Sequence, residues 1–123
     1  MNESHDESPR NCVILVSSDL FVGSQLTGVA KMMGCEFRQQ PLGGPSLEEL
    51  STCCLAVVDL ASPAAASIEQ LVGDLRSAGV DVLAFGPHVQ VERLQRAKQA
   101  GCDRVVTRGS VVSEVRAALT RAK

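Results

Sequence analysis

The sequence predicts an α/β fold, a parallel sheet covered by helices on both faces, and three observations carry that prediction. Apolar runs rich in β-branched residues recur along the chain: CVILV at 12–16, CLAVV at 54–58 and VDVLAF at 80–85. Runs of this kind, without the alternation of a half-exposed strand, mark strands buried on both faces. Between them, apolar residues recur at three- and four-residue intervals, the period of a helix that buries one stripe. Three of those stretches stop at a glycine, Gly34, Gly79 or Gly101, the residue that closes helices in the left-handed conformation.

Taken in order, residues 1–10 (MNESHDESPR) are polar and mainly acidic, and are expected to form a disordered tail ahead of a single domain over 11–123. Cys12–Val16 is the first strand. Asp19 then suits the N-cap of a helix that buries Val22, Leu26, Val29 and Met33. Residues 35–40 (CEFRQQ) make a weaker second strand, and Pro41, Gly43, Gly44 and Pro45 break the chain before Ser46 and Glu49 offer a capping box for a short second helix. The third strand ends at Asp59. Pro63 fits the first turn of a third helix with Ile68, Leu71, Val72 and Leu75 on its buried face. A fourth strand over 80–85, a fourth helix marked by Val91, Leu94 and Ala97, a fifth strand over 103–107, and a fifth helix capped by Ser110 and buried through Val112, Val115 and Leu119 complete the pattern. Five strands alternating with five helices require crossover connections and a sheet covered on both sides. The flavodoxin-like order 2-1-3-4-5, a three-layer sandwich, is the natural solution for this count.

Composition narrows the function classes. A chain of 123 residues with 45% apolar content and a net charge of −2 holds one domain and one sizeable core. No apolar run approaches the length of a bilayer span, and the polar N-terminus lacks a signal-peptide segment, so a cytoplasmic protein without membrane association is expected. Five cysteines, with no CxxC spacing, argue against a disulfide framework. Only Phe21, Phe37 and Phe85 are aromatic, too few to stack single-stranded bases, so nucleic acid is not an expected partner. Charge is uneven: residues 1–75 carry three basic and ten acidic side chains, residues 76–123 nine and four. A basic C-terminal half suits an acidic partner.

Asp59 lies where a buried strand emerges at the carboxyl edge of a parallel sheet, the edge along which open α/β folds place their chemistry. Ser17 and Ser18 end the first strand on the same edge, and His88 follows the fourth. Serine, histidine and aspartate together suggest a hydrolase, but there is no G-x-S-x-G elbow and no oxyanion hole, so no catalytic residue is assigned. His88 and Arg108, with helix N-terminal amides, would suit a small anion. The segment SSDLFVGSQ has neither phosphate-binding glycine pattern, which argues against a nucleotide cofactor. Cys12, Cys35, Cys53, Cys54 and Cys102 fall near strand starts, at the opposite edge. Thiolate ligation or a redox pair is one reading of them; small buried apolar residues is the simpler one.

With Asp59 followed four residues later by Pro63, the AGCDRVVTR segment from Ala100 to Arg108, and this strand and helix spacing, the chain resembles the receiver domains of bacterial two-component response regulators over residues 11–123. The resemblance implies phosphorylation on the third-strand aspartate, using Mg²⁺ held by an acidic pair after the first strand, a Thr or Ser after the fourth strand and a Lys after the fifth. Asp59 matches the phosphoacceptor. The acidic pair falls on Ser17 and Ser18, with Asp19 one residue beyond; the hydroxyl position falls on Gly86, and the lysine position on Arg108. Two neutral hydroxyls in place of two carboxylates should weaken or abolish Mg²⁺ binding, glycine has no hydroxyl to offer, and arginine keeps only the charge. The chain is thus similar to a degenerate, pseudo-receiver form: a stand-alone signalling module with no resident cofactor and no enzymatic activity. The alternative is a phosphoacceptor in a phosphorelay. In receivers the face made by the fourth helix, fifth strand and fifth helix serves partners and dimerisation. Here it would display Arg93, Arg96, Lys98, Arg104, Arg116 and Arg121 toward a histidine kinase, another signalling protein or a second copy.

Overall fold

The computed structural model describes residues 11–40, 51–61, 68–86 and 91–122. β1 (Cys12–Val16), β2 (Glu36–Gln40), β3 (Cys53–Asp59), β4 (Asp81–Gly86) and β5 (Arg104–Thr107) form one sheet in the expected order β2-β1-β3-β4-β5. Every pairing is parallel. The helices are α1 (Leu20–Met32), α2 (Ile68–Ser77), α3 (Val91–Ala100) and α4 (Val111–Ala122). The N-terminal tail, the short helix expected from Ser46 and the turn at Pro63 lie outside the described residues.

The continuous apolar runs form the three inner strands because alternate residues serve opposite layers. Ile14 and Val16, Ala56 and Val58, and Val82 and Ala84 pack with Leu71, Val72 and Leu75 of α2 and with Leu94 and Ala97 of α3. Val13 and Leu15, Leu55 and Val57, and Leu83 and Phe85 pack with Val22, Leu26 and Val29 of α1 and with Val111, Val115 and Leu119 of α4. The outer strands β2 and β5 are only partly buried. Gly34, Gly79 and Gly101 have φ of 73°, 80° and 106°, so each helix stop uses a backbone conformation that side chains disfavour.

Two local expectations change. Val91, placed on the buried face of its helix by periodicity, is 55% exposed. A helical side chain leans toward the helix N-terminus, so at the first residue of α3 it leans past the core, and the helix rests on Leu94 and Ala97. Ser110 closes a 3₁₀ turn over Arg108–Ser110, with its hydroxyl 3.2 Å from Thr107 Oγ1. That turn brings Val111 into the core and leaves Val112 half-buried.

Candidate functional site

The carboxyl ends of β1, β3, β4 and β5 bring Ser17, Asp59, Gly86 and Arg108 to one edge of the sheet, as the strand order requires. Asp59 is paired in register with Phe85 of β4 and is 8% exposed; Ser17, one residue beyond β1, is fully buried. The Ser17 hydroxyl donates to Asp59 Oδ2 at 2.6 Å, within the short range of a bond to a charged acceptor. The Ala61 N–H donates to Asp59 Oδ1 at 2.9 Å, closing an Asx turn. Each oxygen of this carboxylate therefore has a neutral donor. Ser18 is exposed, so the two serines of the pair point to different environments.

Asp19 caps α1 as its position predicts: Oδ1 accepts the N–H groups of Phe21 and Val22 at 3.0 and 3.1 Å. Its second oxygen receives the guanidinium of Arg108. Arg108, the cation of this edge, thus pairs with Asp19 and not with Asp59. Asp19 is the more open of the two carboxylates, its side chain 21% exposed, while Asp59 is already held by Ser17 and Ala61. Arg108, followed by the Val22 amide, holds the Asp19 carboxyl below its ordinary value of 3.8. The Asp19 N–H returns a bond to Ser17 Oγ at 2.9 Å, so the β1–α1 junction and Asp59 form one network.

Sequence reasoning missed two members of this site. Gln39 of β2 donates through Nε2 to the carbonyls of Ser17 and Asp19, at 2.9 and 3.2 Å, and pins the β1–α1 junction from the side. A Cβ at Gly23 would lie 2.2 Å from Gln39 Oε1, so the buried glycine in α1 was the available signal. Leu60 is the other. At Gly86 an added Cβ would meet Leu60 Cβ at 3.3 Å and Leu94 Cδ2 at 3.7 Å, so apolar side chains crowd the place where a hydroxyl was sought. His88 lies outside the described residues.

The basic face divides. Arg96 forms a bidentate pair with Glu69 of α2 at 3.1–3.2 Å, and therefore belongs to the α2–α3 seam rather than to the face across β5. Arg104 pairs with Glu114 of α4 at 2.8 Å. Lys98, Arg116 and Arg121 are exposed; the side chain of Arg93 lies outside the described residues. At the amino edge, Cys12 and Cys53 face each other across β1 and β3, both fully buried. Burial pushes the Cys53 thiol up to about 12, and that of Cys102 up to about 11. Thiols so far from ionising behave as small apolar groups, and among the described residues His, Cys, Asp and Glu nowhere form a group of three suited to a metal ion.

No protein-family model and no curated protein matches the chain. Solved structures do: a response regulator receiver domain from Clostridium thermocellum superposes with a TM-score of 0.72 at 9% identity, over 91% of this chain and 93% of that one. This is the receiver fold. The same receiver fold is shared with the signal receiver domain of a histidine kinase from Syntrophus aciditrophicus, at a TM-score of 0.70 and 18% identity over 90% of this chain and 88% of that one. A CheY-like protein, TadZ, from Pseudomonas aeruginosa gives a TM-score of 0.65 and 22% identity, over 90% and 91% of the two chains. Among the described residues, no helix of this receiver fold is long and apolar enough to cross a membrane.

Proposed function

We propose that this chain is a signalling module of receiver fold that works by non-covalent protein contact in the cytoplasm and does not carry out Mg²⁺-dependent phosphotransfer. The observation that carries this reading is the closed network at the carboxyl edge. Ser17 and the Ala61 amide occupy Asp59, Arg108 and two amides occupy Asp19, and Ser18 is exposed. Mg²⁺ requires near-octahedral oxygen ligands and gives up water reluctantly. A lone carboxylate with hydroxyl neighbours, beside a guanidinium, is a poor donor set for it. With Gly86 under Leu60 and Leu94, the usual hydroxyl that would read a phosphoryl group is also missing. The module is then a fixed surface rather than a switched one.

The partner is a histidine kinase or another signalling protein with an acidic docking surface, meeting the exposed cations of α3 and α4. In a two-fold interface the same patch meets itself, and the exposed cations Lys98, Arg116 and Arg121, which outnumber the exposed acid Glu92 on these two helices, repel their own copies. This face therefore suits an acidic partner better than a homodimer.

The test is incubation with acetyl phosphate, or with a beryllofluoride mimic, in the presence of Mg²⁺, read by intact mass and by amide shifts. The expected result is no adduct and no shift at Asp59. An adduct that disappears in Asp59→Asn would instead establish the phosphoacceptor reading, which the position of this buried carboxylate on the sheet edge supports.

A further inference from the structure

The exposed face of α1 is unlike that of the other three helices. Of the large apolar side chains exposed among the described residues, three of four lie on it or at its ends: Leu20 at 79%, Phe21 at 65% and Met32 at 75%. The helix holds no acid and only one charge, Lys31, whereas α2, α3 and α4 each carry both signs. Gly28 is also exposed, and a Cβ built on it would meet nothing within 4 Å. A glycine inside an exposed helix costs about 1 kcal/mol relative to alanine. Gly23 has a reason within the chain, the Gln39 side chain against it; Gly28 has none there, nor has the exposed Gly73 of α2, but Gly28 lies on a face that carries exposed apolar residues, Phe21 and Met32.

Phe21, Gln25, Gly28 and Met32 are exposed and succeed one another at intervals of four, three and four residues, the seam of a two-stranded coiled coil. The seam is also symmetric about its midpoint. Two copies of α1 laid antiparallel across a two-fold axis at that midpoint set Phe21 of each against Met32 of the other, and Gln25 of each against Gly28 of the other. The long side chain thus lies over the residue that has no Cβ, which lets the helices approach closely. The same register brings Lys31 within about one turn of Asp19 of the second copy, whose carboxylate it would share with Arg108. It also places each helix C-terminus beside an N-terminus, the favourable arrangement of the two dipoles.

We propose that α1 is a self-association surface, on which a second copy of this chain docks in this antiparallel register. It is a weak one. A helix of thirteen residues is roughly 20 Å long, and one such pair covers less than the ~800 Å² per partner of a standard interface, so the dimer forms only at high concentration. This proposal does not depend on the state of Asp59, and the surface is separate from the basic face assigned to an acidic partner.

Sedimentation velocity of the full chain over a wide concentration range tests it. The wild type is expected to move from monomer toward dimer. Phe21→Glu and Met32→Lys are each expected to abolish association, and the double variant, which sets a glutamate of each copy against a lysine of the other, to restore it. Gly28→Ala is expected to weaken the dimer about tenfold while raising the thermal midpoint of dilute, monomeric protein. Circular dichroism verifies that each variant is folded. A wild type that stays monomeric throughout would overturn the proposal and leave the face to a different partner. So would a dimer indifferent to both single changes, a double variant that stays monomeric, or a dimer lost instead on Arg116→Glu.

Discussion

Asp59 is held by two donors, one a side-chain hydroxyl and one a backbone amide, and Ser17 is the more telling of them. Because Ser17 is fully buried and Asp59 nearly so, Ser17→Ala leaves a desolvated carboxylate oxygen short of a donor. The expected loss is about 1–3 kcal/mol of folding stability, measured by urea unfolding, and a smaller loss for Ser17→Thr would identify the hydroxyl as the cause. The Arg108–Asp19 pair has a pH signature. Its carboxyl is held below the ordinary value in the folded chain, so its contribution is present above 3.8 and is lost as pH falls below it. Arg108→Gln should therefore lower stability at neutral pH and leave it unchanged in acid, which flattens the acid limb of a stability-versus-pH curve. Both groups are partly exposed, so the difference should stay under about 1 kcal/mol. The sequence made the identity of these residues readable but not their pairing. Arg108 was legible as a retained positive charge at the carboxyl edge; its choice of Asp19 over Asp59 depends on side-chain reach across 89 positions of chain, and no local pattern encodes that.

At the scale of elements, β1, β3 and β4 were legible because burial on both faces leaves a continuous apolar signature. The edge strands carry less of it, and β2 reads as EFRQQ, in which Gln39 looks like ordinary edge polarity although it braces the next loop. Val91 was misplaced because a helical period is blind to where the helix begins. The crowding at Gly86 could not be read at all, since it arises from two neighbours, Leu60 and Leu94, that are remote from each other in sequence. It has a measurable outcome. Gly86→Thr, which supplies the hydroxyl expected at this position from the resemblance to receivers, forces Leu60 aside and should cost about 1–3 kcal/mol. Thermal unfolding of this variant, compared with the same substitution in a Leu60→Ala background, checks the assignment: the threonine should be better tolerated once the leucine is truncated.

For the molecule as a whole, order and packing agree at every level: five parallel strands, two apolar layers of matched periodicity, and left-handed glycines at three helix stops. That agreement is what makes a fold readable from a single chain, and here it survives identities of 9–22% to other proteins of the same architecture. The site did not share that redundancy. The scaffold is specified many times over by its core, whereas the edge chemistry rests on Ser17, Asp19, Asp59 and Arg108, none of which belongs to either apolar layer.

The facing cysteines of β1 and β3 turn the centre of the sheet into its own reporter. A reagent that alkylates thiolates finds Cys53 fully enclosed and its thiol displaced to about 12, while Cys35 and Cys54 lie half in the open. Modification at Cys53 should therefore await separation of the two strands, and with reagent in enough excess that capture outpaces reclosing, its rate in native buffer, resolved by peptide mass, gives the frequency of that separation.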